Sequence, residues 1–163
     1  MSSDNDFEQG DAGALNTELA EAGRMKPGSL IMMKEGVFPC KVTAFNTAKP
    51  GKHGSAKAMV TAKDVFTDKQ YEETFGTGDM IPRPIVKKTE VTGIDTDEDG
   101  ACMLMMPDGE MKEDLNLPHE SHLLDISKKI KEILAAGTFE CLITFQRWGS
   151  KEQIVGVREG PAQ

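Results

Sequence analysis

Acidic residues are missing from positions 37–63, although that stretch carries lysines at 41, 49, 52, 57 and 63. Basic residues are missing from positions 1–18, which hold five acids. Cysteine is scarce: Cys40, Cys102 and Cys141 stand singly in apolar runs, an odd number without CxxC spacing. That excludes a full intrachain disulfide framework and predicts reduced core thiols. Histidine numbers three, and His53 is the only one in the first half of the chain. No apolar run approaches the length of about eighteen residues that crosses a bilayer, and the acidic N-terminus is unlike a secretory leader, so a cytosolic protein is expected.

What remains is a chain of 163 residues with 38% hydrophobic content, enough for two small domains with compact cores. Its net charge of −8 is unevenly spread. Residues 19–88 carry twelve bases against seven acids, and residues 89–163 carry seven against fifteen. A uniform acidic surface would argue against a nucleic-acid partner. A basic middle segment in an acidic chain presents one positive region to phosphate.

That region centres on Lys49-Pro50-Gly51-Lys52-His53-Gly54-Ser55-Ala56-Lys57. Gly51 and Gly54 permit unusual backbone on either side of Lys52, and Pro50 stiffens the approach. A lysine placed there is offered outward, and its positive neighbours ease its titration to the neutral, nucleophilic form. A glycine-containing connection with lysines also describes an ordinary solvated hairpin tip. A phosphate-binding P-loop is excluded, because Asn46 stands where that motif needs its first glycine and His53 where it needs Ser or Thr.

The residues predict mainly β structure. Residues 1–20 read as a disordered acidic tail. Residues 21–88 read as an SH3-like barrel, with strands at 30–34, 38–45, 58–66 and 70–77, and with Pro82 and Pro84 breaking the ladder. Residues 89–158 read as an OB-fold, with strands at 90–95, 101–106 and 110–115, one helix, then strands at 138–146 and 152–157, leaving 159–163 as a tail. Leu123, Ile126, Ile130, Ile133 and Leu134 share one face of the helix, Ser121 is placed to cap its start and Gly137 its end. Asp95-Thr96-Asp97-Glu98-Asp99-Gly100 matches half of a calcium loop, but Met106 stands where a bidentate carboxylate is required, so a hairpin turn is expected. His119 and His122 flank Glu120 without a third spaced ligand, and solvated side chains are expected. No catalytic set is visible around His53, and the chain is not expected to be an enzyme.

Gly51-Lys52-His53-Gly54 with Ala56-Lys57 resembles the modification loop of the eukaryotic translation initiation factor 5A family, relatives of bacterial elongation factor P. The likeness extends to Asp6-Phe7-Glu8-Gln9-Gly10-Asp11-Ala12-Gly13-Ala14, Pro39-Cys40-Lys41, Asp64-Val65-Phe66-Thr67, Tyr71-Glu72, Gly109-Glu110-Met111-Lys112-Glu113-Asp114-Leu115 and Leu117-Pro118. Two flanking positions depart: Pro50 stands where that family usually has threonine, and Ser55 where histidine is usual. The resemblance implies hypusine formation on Lys52, with spermidine as aminobutyl donor, deoxyhypusine synthase and deoxyhypusine hydroxylase as partners, and no bound cofactor or metal. It further implies ribosome binding beside peptidyl-tRNA and promotion of slow peptide bonds, notably at consecutive prolines, in elongation and also termination. Lys49, Gly51, His53, Gly54 and Lys57 would support the modified side chain and contact tRNA. Two other readings stay open: an RNA-binding module that acts through its basic patch without lysine modification, and a small hydrolase using His53.

Overall fold

The computed structural model describes residues 16–49, 54 and 56–163. They fall into two units that divide between Ile85 and Val86. The first contains β1 (Thr17–Glu21), a 3-10 turn (Ala22–Arg24), β2 (Leu30–Met33), β3 (Phe38–Ala48), β4 (Lys57–Asp64), β5 (Gln70–Gly76) and β6 (Met80–Pro84). Antiparallel β2-β3-β4-β5 form one curled sheet, and β1 with β6 forms a separate ribbon. Inward residues of the sheet, Ile31, Met33, Cys40, Val42, Ala58, Val60 and Ala62, join Ala22, Met25 and Ile81 in one buried core. The alternation is as expected for a sheet with one wet face: Cys40 and Val42 are buried, Lys41 is exposed.

Two sequence expectations are corrected in this unit. The arm expected to reach residue 20 gives way at Thr17 to β1, because its pairing with β6 supplies main-chain partners that composition does not reveal. Pro82 and Pro84 lie within β6 instead of ending the ladder. They pair with Leu19 and Thr17, while the alternate residue Ile85 donates its N–H to the Asn16 carbonyl at 2.8 Å. Both prolines therefore occupy positions whose N–H is not needed by β1, which is where an edge ribbon tolerates proline. Residues 1–15 of the expected tail lie outside the described residues.

The second unit contains β7 (Lys87–Thr96), β8 (Cys102–Met105), β9 (Met111–Lys112), a 3-10 turn (Ser121–Leu123), α1 (Leu124–Ala136), β10 (Phe139–Trp148) and β11 (Lys151–Ala162). The sheet order is β11-β10-β7-β8-β9, with the helix between its third and fourth strands in sequence. Lys112 Nζ on β9 meets Glu152 Oε1 on β11 at 3.0 Å, bridging the two outer strands of that order. Burial of α1 follows its apolar stripe: Ile130 and Ile133 are in the core with Val91, Leu104, Ile143 and Ile154, and Ile126 and Leu134 pack against it.

Gly137 ends the helix in the left-handed region, with φ of 66° and its N–H on the Ile133 carbonyl. Ser121 does not cap the start: it opens the 3-10 turn, and no side chain caps α1. The buried hydroxyl that is used belongs to Ser127, which donates to the Pro118 carbonyl at 2.6 Å. The expected tail at 159–163 is mostly strand, since β11 pairs as far as Phe139↔Ala162. β11 accommodates Pro161 because it falls in a register shift between Cys141↔Glu159 and Phe139↔Ala162, where a missing N–H is tolerated. The calcium-like segment is a hairpin turn: Asp97 Oδ1 accepts the N–H groups of Asp99 and Ala101 at 3.0 and 2.8 Å. The three cysteines are free and buried, as expected.

Candidate functional site

The β3–β4 hairpin positions the lysine-bearing connection. Its register is fixed below by buried pairs, Val42 with Ala62 and Cys40 with Asp64, and it ends with Thr47↔Ala58 and Ala48↔Lys57. Between Val42 and Ala44 the register shifts, leaving Thr43 as an extra residue on β3. Such a bulge increases local twist and re-aims the strand beyond it. The Ala48↔Lys57 pair therefore brackets residues 49–56, with Lys52 near the middle of that sequence.

Lys49 and Lys57, the two flanking lysines, are exposed, and Gly54 is half-buried. Gly51, Lys52 and His53, with the departures at Pro50 and Ser55, lie outside the described residues. The surrounding charge is as the sequence suggests: Lys41, Lys49, Lys57 and Lys63 all present exposed side chains.

The C-terminal root of the connection is tied down by a feature that sequence reasoning missed. Thr77 N–H donates to the Ala56 carbonyl at 3.1 Å, and the Thr77 carbonyl accepts Gly23 N–H at 2.9 Å. A Cβ on Gly23 would lie 3.0 Å from that same carbonyl oxygen, so glycine permits the approach. One residue earlier, Gly76 N–H donates to Asp79 Oδ2 at 2.9 Å, and the Ala22 N–H reaches the Asp79 carbonyl. The signal available in the sequence was the turn-rich Gly76-Thr77-Gly78-Asp79, which marks a turn but not its distant partner.

Elsewhere, Lys34 is held on β5: its N–H donates to Glu73 Oε1 at 2.7 Å and its Nζ to the Glu72 carbonyl at 2.8 Å. His119 is almost wholly exposed, 3.8 Å from Glu120 Oε1, and Glu120 Oε2 accepts from Gln153. Among the described residues no cluster of His, Cys, Asp and Glu is arranged to hold a metal ion. No helix among them is long and apolar enough to cross a membrane.

Comparison with known proteins places both units. Residues 16–79 match a family model described as translation initiation factor 5A-like, N-terminal. Residues 85–158 match one described as eukaryotic elongation factor 5A hypusine, DNA-binding OB fold. The chain is 37% identical over 153 residues to eukaryotic translation initiation factor 5A of Dictyostelium discoideum, covering 94% of this chain and 91% of the relative. It is 37% identical over 152 residues to eukaryotic translation initiation factor 5A-1 of Solanum lycopersicum, covering 93% and 92%. Among solved structures, a translation initiation factor 5A family protein from Naegleria fowleri superposes with a TM-score of 0.78 at 34% identity, covering 88% of this chain and 99% of that one. With two family models spanning nearly the whole chain and relatives at this identity, the chain belongs to the translation initiation factor 5A family, a family of translation factors.

Proposed function

We propose that this chain acts on the ribosome beside peptidyl-tRNA, promoting peptide-bond formation at slow sites such as consecutive prolines, through hypusine formed on Lys52. The observation that carries this reading is the closing pair Ala48↔Lys57, which sets a short, lysine-flanked connection at the end of a hairpin whose register is locked by the core. Membership of a family whose C-terminal model is named for hypusine supports it.

In the modification, deoxyhypusine synthase transfers the aminobutyl group of spermidine. A bond forms between Lys52 Nζ and the terminal butyl carbon, the carbon–nitrogen bond to the rest of spermidine breaks, and diaminopropane departs. Deoxyhypusine hydroxylase then converts one C–H of the aminobutyl chain to C–OH, a two-electron oxidation that takes one oxygen atom from dioxygen while an external reductant carries the other to water. The product reaches further than lysine and carries a second cationic nitrogen, a change in length and hydrogen-bonding capacity without a larger loop. Lys49 and Lys57 add positive charge beside it, Gly51 and Gly54 allow close approach of RNA, and His53 supplies a donor or a stacking face.

The chain works here as a factor and not as an enzyme: it orders the tRNA acceptor end, so the benefit comes from orientation and not from proton transfer. Intact and peptide mass spectrometry of protein from its native host tests the reading. The aminobutyl increment, with or without oxygen, is expected on Lys52; a population carrying plain lysine there would overturn it.

A further inference from the structure

On the outer face of the N-terminal sheet, Lys41 of β3 lies directly opposite Lys63 of β4, and both are exposed. Like charges directly opposed across an antiparallel pair destabilise it. The sheet does not require this arrangement. Its register is set by the buried pairs on either side, so any polar residue at these two positions would serve the fold. Ion pairing relieves little of the repulsion: Lys63 Nζ stands 3.9 Å from Asp68 Oδ2 with both side chains about half exposed. Among the described residues Lys41 has no carboxylate within ion-pair distance.

The rows between this pair and the closing pair of the hairpin lie on the same face. Ala44 pairs with Thr61 and Asn46 with Met59, and β5 continues the rows with Glu72 opposite Thr61 and Thr74 opposite Met59. Thr61, Asn46 and Thr74 place hydroxyl and amide groups in the interval beside Ala44 and the exposed Met59, with Glu72 as the one acid among them. Lys34 Nζ donates to the Glu72 main-chain carbonyl, adding a further ammonium at that residue's backbone. Lys57 and Lys63 are six residues apart on one strand, a span of about 20 Å at the usual rise. The face therefore has two cationic ends separated by a mixed interval with a single acid, and that spacing of charge matches a chain of repeated phosphates better than a single anion.

We propose that Lys41 and Lys63 form a second phosphate-contact point, so that an RNA backbone runs along the outer face of β3 and β4 from the lysine-bearing connection to this pair. The inference rests on the reading that the connection meets RNA, and it extends the contact to the opposite end of the strands.

The test is the salt dependence of binding of a tRNA transcript to the full chain and to the double variant Lys41→Ala with Lys63→Ala. Loss of two phosphate contacts lowers the slope of log K against log salt by about 1.4–1.8. The thermal midpoint should stay unchanged or rise, since a like-charge pair has been removed. An unchanged slope, or a lowered midpoint without a change of slope, would show that the lysines serve only the fold and would overturn the proposal. The companion variant Lys49→Ala with Lys57→Ala separates the two readings. If it lowers the slope while the Lys41/Lys63 variant does not, the second contact fails and RNA binding at the connection stands. If neither variant binds differently from the parent, both fail. Poly-L-glutamate that binds with the same dependence on Lys41 and Lys63, where tRNA shows none, would assign the pair to an acidic protein and overturn the RNA track.

Discussion

Cys40, Cys102 and Cys141 show how a single side chain can couple stability to solution conditions. Burial comes first among the causes that raise their thiols, to about 12 for Cys40 and about 11 for Cys102 and Cys141; nearby Asp64 adds to the first and Asp97 to the second. In the unfolded chain these groups ionise near the usual value of 9.0. Above that pH the unfolded state has lost protons that the folded state retains, so stability falls with rising pH through the interval from about 9 to about 11–12. Denaturant titrations from pH 7 to 11 should show a declining midpoint, and the triple Cys→Ser variant should lose that part of the decline. At neutral pH the same thiols should resist alkylation until the protein unfolds. On the proposed function, Lys52 is the other residue whose chemistry matters more than its charge. Lys52→Arg keeps a cation and should melt within about 0.5 kcal/mol of the parent, yet lose function in cells dependent on this chain, because a guanidinium cannot take the aminobutyl group. Full complementation by that variant would contradict the proposed role.

At the scale of elements, the Thr77 bridge makes the 3-10 turn and the end of β5 a joint support for the C-terminal root of the lysine-bearing connection at Ala56. Gly23→Ala places a methyl 3.0 Å from a backbone oxygen that has little freedom to yield. A cost of about 1–3 kcal/mol is expected, together with slower modification of Lys52 by purified synthase, because Ala56 shares the displaced residue. Gly137→Ala serves as the comparison. It forces alanine to φ of 66°, should cost about 1 kcal/mol, and should leave the modification rate at the parent value. Equal rates for the two variants would show that Thr77 does not govern the tip. Much at this scale was legible beforehand. The β2 to β5 strands, the helix and the order of the C-terminal strands follow from local alternation and helical spacing. What stayed hidden depended on distant pairing: β1 is too polar to declare itself, β6 carries two prolines that normally forbid a strand, and Thr77 meets partners far away in sequence. Ser121 misled because a serine before an apolar run signals a cap, whereas here a 3-10 turn intervenes and Ser127 does the buried hydrogen bonding. The lysine connection was legible as a motif, from glycine placement and missing acids.

Across the whole molecule, the division into two separately cored units has a direct consequence. Residues 86–163 produced alone should fold cooperatively, since the buried cluster around Leu104, Ile130, Ile143 and Ile154 is complete within them. That fragment, rich in acids, should show no salt-dependent affinity for tRNA, whereas residues 1–85 should keep most of it. Calorimetry and a binding isotherm on each fragment check both statements; tRNA binding confined to the C-terminal fragment would reverse the assignment. The pairing of Ala48 with Lys57 carries one more implication, for molecular reach. Because that rung closes a ladder anchored lower down, the projection of whatever it bears is counted in discrete steps. Two residues inserted in each arm above it would keep the inner and outer faces unchanged while advancing the terminus by about 7 Å. On the proposed function, the hairpin is then a graduated spacer, whose setting is read out by asking which extension still supports growth of cells dependent on this chain.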